Sequence, residues 1–358
     1  MAIRHHQPPF AASTNFIKTP KLSPSSFRPN LSVSSKPVFT SVESFAPATV
    51  ANLGPGFDFL GCAIDGIGDH VTLTIDPNVQ PGRISIAEIT GIQNPHKKLS
   101  KNPLWNCAGI ASISVMRKLK IRSVGISLSI KTGLPIRSGL GSSAASAAAA
   151  AVAVNAIFGG KLSESDLVLA ALEAEAKLSG YHADNVAPAI MGGFVLIRSY
   201  DPLDLVSLKF PAEKNLFFVL VNPEFELQTK KMRAVVPTEV TFTDHVWNCR
   251  QTGALVAGVL QGDLVGFGKA LSADRIVEPR RGVLIPGMEA VKRAALEAGA
   301  YGCTISGSGP TVVAVTDGEE RGREIGERMV EAFREEGKLK AVTMVKKLDT
   351  IGARVIKY

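Results

Sequence analysis

The sequence has no long hydrophobic run, only four cysteines and no acidic residue near its start. No stretch of about 18 apolar residues occurs, so no membrane-spanning helix is predicted. The four cysteines lie far apart and form no CxxC pair, which predicts reduced thiols and no cysteine-based metal site. The 358 residues are enough for two domains, each with a core of its own.

The first 41 residues contain no Asp or Glu, but they carry five Lys and Arg residues and many Ser, Thr and Pro. Such a basic leader without an apolar segment is typical of an organellar transit peptide, which we expect to cover residues 1–38 and to be disordered. Ser and Pro outnumber Arg, which favours a plastid over a mitochondrion; a plain disordered tail is the alternative. Without the leader the net charge of +8 becomes nearly balanced, so no nucleic-acid partner is predicted.

Strand and helix patterns interleave without a regular βα repeat, which favours an α+β fold. Strands are predicted at 38–46, 70–75 and 124–130, and helices are predicted to begin at Asn102-Pro103 and at Ser163. A polar stretch with proline, around residues 199–214, suggests a domain boundary. We therefore expect one domain over 39–205 and a second over 206–358, which would include a last strand at 353–357.

A glycine-rich loop, residues 133–141, follows a predicted strand and precedes an alanine-rich helix. Glycines let a backbone approach a ligand closely, and the amides that open a helix favour an anion. The loop is no Walker A motif, since no Gly-Lys-Ser/Thr closes it. A tight turn that packs helix on sheet is the alternative, but the pattern favours a phosphate site. The candidate ATP-binding residues are Pro135, Ser138, Gly139, Leu140, Gly141, Ser142, Ser143 and Ala144.

This loop and two further segments together resemble the GHMP kinases, the superfamily of galactokinase, homoserine kinase and mevalonate kinase. The further segments are PATVANLGPGFDFLG at 47–61 and TISGSGPT at 304–311. The stretches YHADNVAPA at 181–189 and IVEPRRG at 276–282 are most similar to the homoserine kinases of plant chloroplasts. The resemblance implies a two-domain fold, with an N-terminal ribosomal-protein-like βα domain and a C-terminal ferredoxin-like domain.

The same resemblance implies a kinase that uses ATP and Mg²⁺ to phosphorylate the hydroxyl of L-homoserine, as a homodimer in the chloroplast stroma. Arg233 and Arg281, with Thr229, are then candidates for binding the substrate carboxylate, a role that the planar fork of arginine fits. The other implied substrate-binding residues are Asn52, Asp58, His182, Asn185 and Gly307. By spacing alone, a capping or turn role for 182–185 is equally compatible.

Ser143 and Glu175 are the implied metal ligands, and with Asn185 they form the implied catalytic set. Glu173 competes with Glu175 on the same predicted helix, and no general base is identified. The family usually has a small residue where Arg137 stands, and a guanidinium there could hold phosphate or crowd the loop. Alternatives to a homoserine kinase are a GHMP kinase for another alcohol, a non-catalytic sensor of amino acid or nucleotide, and an RNA-binding domain of related fold.

Overall fold

The computed structural model describes residues 2–4, 36–92, 98–178 and 180–358. Most of the predicted transit peptide lies outside these residues. Of the leader, Ala2–Arg4 forms a short strand, β1, which pairs with β9 (Glu239–Thr241). Within the described ranges no helix is both long and apolar enough to span a membrane. None of the four cysteines forms a disulfide, and Cys62 and Cys303 are buried.

The larger sheet has seven strands within the described ranges. Five follow the order β13-β2-β3-β5-β4, and β6 pairs with β3 and with β7. All neighbours are antiparallel except β4 and β5, which run parallel. The strands are β2 (Ser41–Ala51), β3 (Leu60–Ile75), β4 (Ile84–Thr90), β5 (Ile126–Lys131), β6 (Phe194–Tyr200), β7 (Leu203–Leu208) and β13 (Arg354–Lys357).

Four helices belong to this part of the chain, and the central one is the alanine-rich α2. Alanine is the best helix former, and its small side chain lets neighbouring elements approach closely. Twelve of the sixteen α2 residues are buried against α1, α3, α4 and the sheet. The helices are α1 (Cys107–Lys118), α2 (Ser142–Ile157), α3 (Glu164–Leu178) and α4 (Ala183–Met191).

The smaller sheet has the antiparallel order β10-β11-β8-β12. Helices α9 and α10 pack together and against it, and form a second core with its strands. The strands are β8 (Phe217–Pro223), β10 (Gly302–Ile305), β11 (Val312–Thr316) and β12 (Ala341–Lys347). The remaining helices are α5 (Thr229–Ala234), α6 (Phe242–Gln261), α7 (Leu264–Leu271), α8 (Glu278–Gly282), α9 (Met288–Glu297) and α10 (Glu319–Glu335).

The two sheets are not separated cleanly along the chain. The boundary predicted after residue 205 falls inside β7, which pairs with β6. The last strand, β13, pairs with β2 of the larger sheet, so its predicted placement in the second domain is wrong. Residues of α6, α7 and β11 also join the larger core, among them Leu255, Phe267 and Val313. The α+β class is confirmed. Residues from both halves of the sequence contribute to the larger sheet and its core.

Two element boundaries differ from the sequence prediction in ways that matter for the site. Strand β2 extends to Ala51 and β3 begins at Leu60, so the 47–61 segment, called the 47–61 turn below, comprises the end of β2, a turn over 52–59 and the start of β3. Both strands are buried on both faces there, which removes the alternation that identifies a strand. The start predicted at Asn102-Pro103 is a short 3₁₀ helix, Pro103–Trp105, and Asn102 caps it by accepting from the Leu104 amide at 3.0 Å. The α-helix itself begins at Cys107, where the Asn106 side chain accepts from the amides of Ala108 and Gly109.

Candidate active site

The glycine-rich loop is held so that three successive amides point away from the protein. The carbonyl of Ser138 accepts a hydrogen bond from the Thr311 amide at 3.1 Å, that of Gly139 from the Ser306 hydroxyl at 2.7 Å, and that of Leu140 from the Thr49 amide at 3.1 Å. In a trans peptide the N–H points opposite to the C=O of the same plane. The amides of residues 139, 140 and 141 therefore face outward, and none has an acceptor in the described part of the chain.

Two glycines make this arrangement possible. Gly139 has φ +84° and Gly141 has φ +67°, in the left-handed region that side chains disfavour. A Cβ on Gly139 would lie 2.4 Å from the Ser306 carbonyl oxygen, and one on Gly141 would lie 2.0 Å from Thr49 Oγ1. Any larger residue at either position would push the loop off the strand and turn behind it.

The start of α2 continues the row of donors. Its N-cap is Gly141, which supplies no capping side chain, and Ser143 is exposed beside it. The buried Ser138 hydroxyl has no hydrogen-bond partner among the described residues, so it is available to a ligand. Leu140 and Ala144 bury their side chains completely, so only their backbones can contact a nucleotide. An outward arc of amides at a helix start is a site for an anion such as phosphate.

The structure separates the two glutamates that compete for the metal role. Glu173 lies on the exposed face of α3, where both of its carboxylate oxygens accept from Nη2 of Arg117, at 2.7 and 2.5 Å. Glu175 is only 1% exposed and faces inward, with the Cys107 thiol 3.9 Å from its Oε1. A buried carboxylate on a helix that packs against α2 fits Mg²⁺ bound to phosphates, an ion that needs few protein ligands. Of the two glutamates, burial favours Glu175, and its metal role stays a prediction.

The 47–61 turn places its polar residues against the 304–311 turn. Asn52 donates from Nδ2 to the Gly307 carbonyl at 2.7 Å and accepts from the Asp58 amide at 3.0 Å. Asn52, Leu53 and Asp58 all have positive φ, an uncommon conformation for residues with side chains. Such strain persists where the surroundings fix it, and it concentrates at functional sites.

Two arginines flank the Phe57 ring beside this turn. The guanidinium carbon of Arg233 lies 5.2 Å from the ring centroid and that of Arg281 lies 4.7 Å from it. Arg233 forms a bidentate ion pair with Asp58. Arg281 is 4% exposed, and donates to the carbonyls of Met232 and Gly307 at 3.0 and 3.1 Å. Burial, and then the charge of Arg233, lower the pKa of Arg281 to about 10, although the carboxylates of Asp58, Asp184 and Asp274 act in the opposite direction.

The anion loop and this charged turn are in direct contact. Asn185, at the start of α4, accepts from Thr49 Oγ1 at 2.8 Å, and its Oδ1 lies 3.0 Å from the Cβ position of Gly141. The carbonyl of Gly139 lies 3.0 Å from the Cβ position of Gly307. Asn185 therefore lies beside the glycine that caps α2, at one end of the arc of amides.

The remaining predicted residues lie around the same turn. Thr229 Oγ1 is 3.4 Å from Ser308 Oγ. His182 is the N-cap residue of α4, but its side chain makes no capping hydrogen bond, which weakens the purely structural interpretation. The predicted substrate residues thus come from the 47–61 turn, the start of α4, α5, α8 and the 304–311 turn.

Comparison with known proteins agrees with this geometry. The chain is 68% identical over 326 residues to the homoserine kinase of Arabidopsis thaliana, which covers 91% of this chain and 87% of that protein. The chain belongs to the homoserine kinase family. Family models for the GHMP kinases N terminal domain and the GHMP kinases C terminal match residues 107–193 and 255–335.

Solved structures confirm the fold expected of this family. The crystal structure of homoserine kinase from Cytophaga hutchinsonii matches with a TM-score of 0.82 at 41% identity, over 89% of this chain and 98% of that one. Homoserine kinase of Chlorobium phaeovibrioides is 43% identical over 88% of this chain and 99% of its own length. The predicted two-domain GHMP kinase fold is confirmed.

Asp184 is a site residue that the sequence did not single out. It is 2% exposed, its Oδ1 has no hydrogen-bond partner among the described residues, and it interacts electrostatically with His182, Asp58 and Arg233. Burial raises its pKa to about 6. In the sequence, Asp184 is compatible with an ordinary turn residue. The structure shows instead that α4 packs on β3 and that the carboxylate is buried near Arg233.

We expect Asp184→Asn to stabilise the protein above pH 6 but not near pH 4. The native state keeps a proton on Asp184 that the unfolded chain, with a pKa of 3.8, has already released, so the native state is penalised progressively as pH rises from 4 to 6. Because a tenfold change in proton affinity corresponds to about 1.4 kcal/mol, the gain above pH 6 is as much as about 3 kcal/mol. Urea unfolding at pH 4 and pH 7.5 measures it.

The opposite sign is expected for Asp166→Asn, which serves as the control. Asp166 is exposed and accepts a hydrogen bond from the Ser163 hydroxyl at the start of α3, which lowers its pKa. Its loss should destabilise the protein at pH 7.5. A gain for Asp184→Asn that is equal at both pH values would contradict the assigned burial cost.

Arg137 stands in the glycine-rich loop with φ +59°, where glycine carries no steric penalty. Its side chain is 58% exposed and its guanidinium lies 3.8 Å from Glu226. We expect Arg137→Gly to raise the free energy of unfolding by about 0.5–1 kcal/mol, the cost of a left-handed residue less the added chain entropy of glycine. The KM for ATP should stay within about fivefold, because an exposed ion pair contributes little.

Arg137→Ala is the matched control, since alanine keeps the strained conformation and should give no stabilisation. Thermal unfolding and initial-rate kinetics distinguish the two. A large gain in activity for the glycine variant would instead show that the arginine crowds the loop.

Proposed function

We propose that the chain is an ATP:L-homoserine O-phosphotransferase, which forms O-phospho-L-homoserine and ADP in the biosynthesis of threonine. One observation carries the proposal: an outward arc of loop amides adjoins a cluster with buried Arg281 and paired Arg233 and Asp58. The arc suits a triphosphate, and the cluster offers both cations and an anion to a zwitterion. Family membership supports the same choice of substrate.

The residues present fit Mg²⁺ and ATP. Ser143 and Glu175 would hold the metal together with phosphate oxygens, a ligand set of the hard oxygen type that Mg²⁺ prefers. When bound, Mg²⁺ neutralises charge on the β and γ phosphates. No group of three or more acidic, His or Cys side chains forms a separate cage in the described part of the chain, so phosphate would have to complete the coordination.

The chain's own contribution is positioning. The substrate hydroxyl oxygen forms a bond to the γ phosphorus while the bond from that phosphorus to the β–γ bridging oxygen breaks, and the hydroxyl proton is released. The amides of 139–141 and the start of α2 stabilise the charge that develops on ADP. Asn185, next to Gly141, would orient the hydroxyl. Such transfers have loose transition states and tolerate the lack of a strong base, which fits a site with no assigned one.

For the amino acid, Arg281 would bind the carboxylate with Arg233. Asp58 would accept from the ammonium. The ion pair between Asp58 and Arg233 would then separate, so that Asp58 pairs with the ammonium and Arg233 with the carboxylate. Asn52, His182, Thr229 and the Gly307 turn would line the pocket. Mevalonate has no ammonium and would leave the anions without a partner, which disfavours it.

The test is ADP release from purified protein with ATP, Mg²⁺ and a panel of homoserine, mevalonate, shikimate and galactose. We expect turnover with homoserine alone, and a phosphomonoester product by ³¹P NMR. N-acetylhomoserine and 2-amino-1,4-butanediol, which each lack one charge of the zwitterion, should lose most of the kcat/KM. Binding of homoserine without turnover would favour the sensing alternative, and turnover of another alcohol would reassign the substrate.

We further propose import into the chloroplast stroma and a homodimeric state. The acid-free leader supports the first, as does the plant origin of the Arabidopsis relative. Fluorescence of a leader fusion in leaf cells tests the location, and light scattering of the protein without its leader tests the assembly. Cytosolic fluorescence or a monomeric mass would contradict them.

A further inference from the structure

A buried carboxylate lies beneath the glycine-rich loop, outside the residues assigned to either substrate. Asp69 is on β3 and is completely buried. It is paired with Ala46 on β2. On its other side, the pairing of β3 with β5 reaches only the neighbouring residue, His70, which pairs with Lys131. Asp69 therefore stands where β5 leaves the sheet and the chain enters the loop.

The two oxygens of Asp69 bind opposite ends of the loop. Oδ1 accepts from the Gly133 amide at 3.0 Å, at the first residue of the loop. Oδ2 accepts from the Ser146 hydroxyl at 2.5 Å, just beyond the first turn of α2. One rigid side chain thus joins the strand, the entry to the loop and the helix that follows it.

Burying the Asp69 carboxylate destabilises the folded protein, because a charged group loses its hydration. Burial raises the pKa of Asp69 to about 6, while the hydrogen bonds from Ser146 and Gly133 act in the opposite direction. At neutral pH the carboxylate is therefore ionised and accepts both bonds. A well-packed apolar residue could fill the same space without a buried charge. What the carboxylate adds is a fixed distance between the loop entry and the helix start.

The carbonyls of the loop interior are held as well. Those of residues 138–140 bind elements behind the loop and so turn the amides outward. These bonds fix the orientation of the peptide planes. The two bonds to Asp69 fix the positions of the segments before and after the row of amides, at Gly133 and Ser146. Preorganised donors are effective only when held within a fraction of an ångström.

We propose that Asp69 is a positioning residue for nucleotide binding, acting through Gly133 and Ser146 to hold the glycine-rich loop in its anion-binding form. The inference rests on the proposed function for the identity of the anion. It assigns no contact between Asp69 and substrate.

Ser146→Ala is the primary test, because alanine suits the helix and removes the bond from Asp69 to α2 while its backbone bonds at the loop entry remain. We expect the Kd for ATP, measured by calorimetry, and the KM for ATP to rise about tenfold, with the KM for homoserine within about twofold. Ser114→Ala is the matched control: Ser114 is buried in α1 and its hydroxyl has no partner among the described residues. It should leave both KM values unchanged.

Asp69→Asn tests which property of the side chain matters. Its amide can accept from Gly133 and donate to Ser146 without the charge, so we expect nucleotide affinity near that of the wild type. An unchanged Kd in Ser146→Ala would overturn the inference, and so would an equal rise in both KM values. Wild-type protein that binds no ATP would overturn the proposed function itself, a result seen before any substitution is made.

Discussion

Replacing Arg281 by methionine is expected to lower kcat/KM for homoserine by about 10²–10³ without unfolding the protein. Removing one partner of a buried, hydrogen-bonded charge contact costs about 3–4 kcal/mol, and each 1.4 kcal/mol or so is tenfold in rate. Arg281 is almost fully buried and, within the described ranges, has no carboxylate in salt-bridge contact. The substrate carboxylate would be the anion that completes this site.

The stability of the same variant is expected to change little. Two hydrogen bonds to the carbonyls of Met232 and Gly307 are lost, which destabilises the protein, but an unpaired buried charge is removed as well. The free energy of unfolding should stay within about 1 kcal/mol of the wild type. Initial-rate kinetics and urea unfolding measure the two effects separately.

Arg280→Met is the matched control for this change. Arg280 is the preceding residue of α8, is exposed, and among the described residues donates to carbonyls of its own segment, those of Arg275 and Ile276. It should retain wild-type kinetics. If Arg281→Met bound homoserine as tightly as the wild type, or if both arginine variants lost activity equally, the assigned carboxylate site would be wrong.

Glu175→Gln is expected to lower kcat by about 10²-fold and to raise the Mg²⁺ concentration needed for half-maximal rate. Glutamine keeps the shape of the side chain but loses the charge that a metal ligand needs, and metal charge neutralisation contributes several kcal/mol to such reactions. The buried position of Glu175 means that the amide stays in place, because it packs as the carboxylate does.

Glu173→Gln is the comparison that makes this result specific. Glu173 is two residues away on α3, exposed and paired with Arg117, so its loss should cost less than about 1 kcal/mol of stability and no activity. Activity is followed by ADP release over a Mg²⁺ titration. The reverse pattern, with Glu173→Gln inactive, would move the metal to the outer face of the helix.

Local chemistry in the sequence was enough to predict a glycine-rich loop between a strand and a helix. The strand, the glycines and the alanine-rich helix are contiguous in residues 126–157, and the structure contains them in that order. The start of α3 was also predictable, because Ser163 and Asp166 exchange hydrogen bonds within one turn. Elements of this kind can be predicted because the residues that define them lie within one continuous segment of the sequence.

Residues that act through distant contacts were not predictable in the same way. Asp69 and Ser146 are 77 positions apart, and Asp69 looks like an ordinary polar residue of an alternating strand. The return of β13 to the larger sheet, and the shared core of α6 and α7 with β6, are also long-range packing choices. The substrate residues of α5 and α8 were recognised by family resemblance, since an isolated arginine carries no signal of its partner.

The most direct test of the account is a crystal structure of the protein with a non-hydrolysable ATP analogue, Mg²⁺ and homoserine. We predict the β and γ phosphates on the amides of residues 139–141 and the start of α2, and the amino-acid carboxylate on Arg281. An analogue bound elsewhere, with that helix start packed dry against protein, would contradict it.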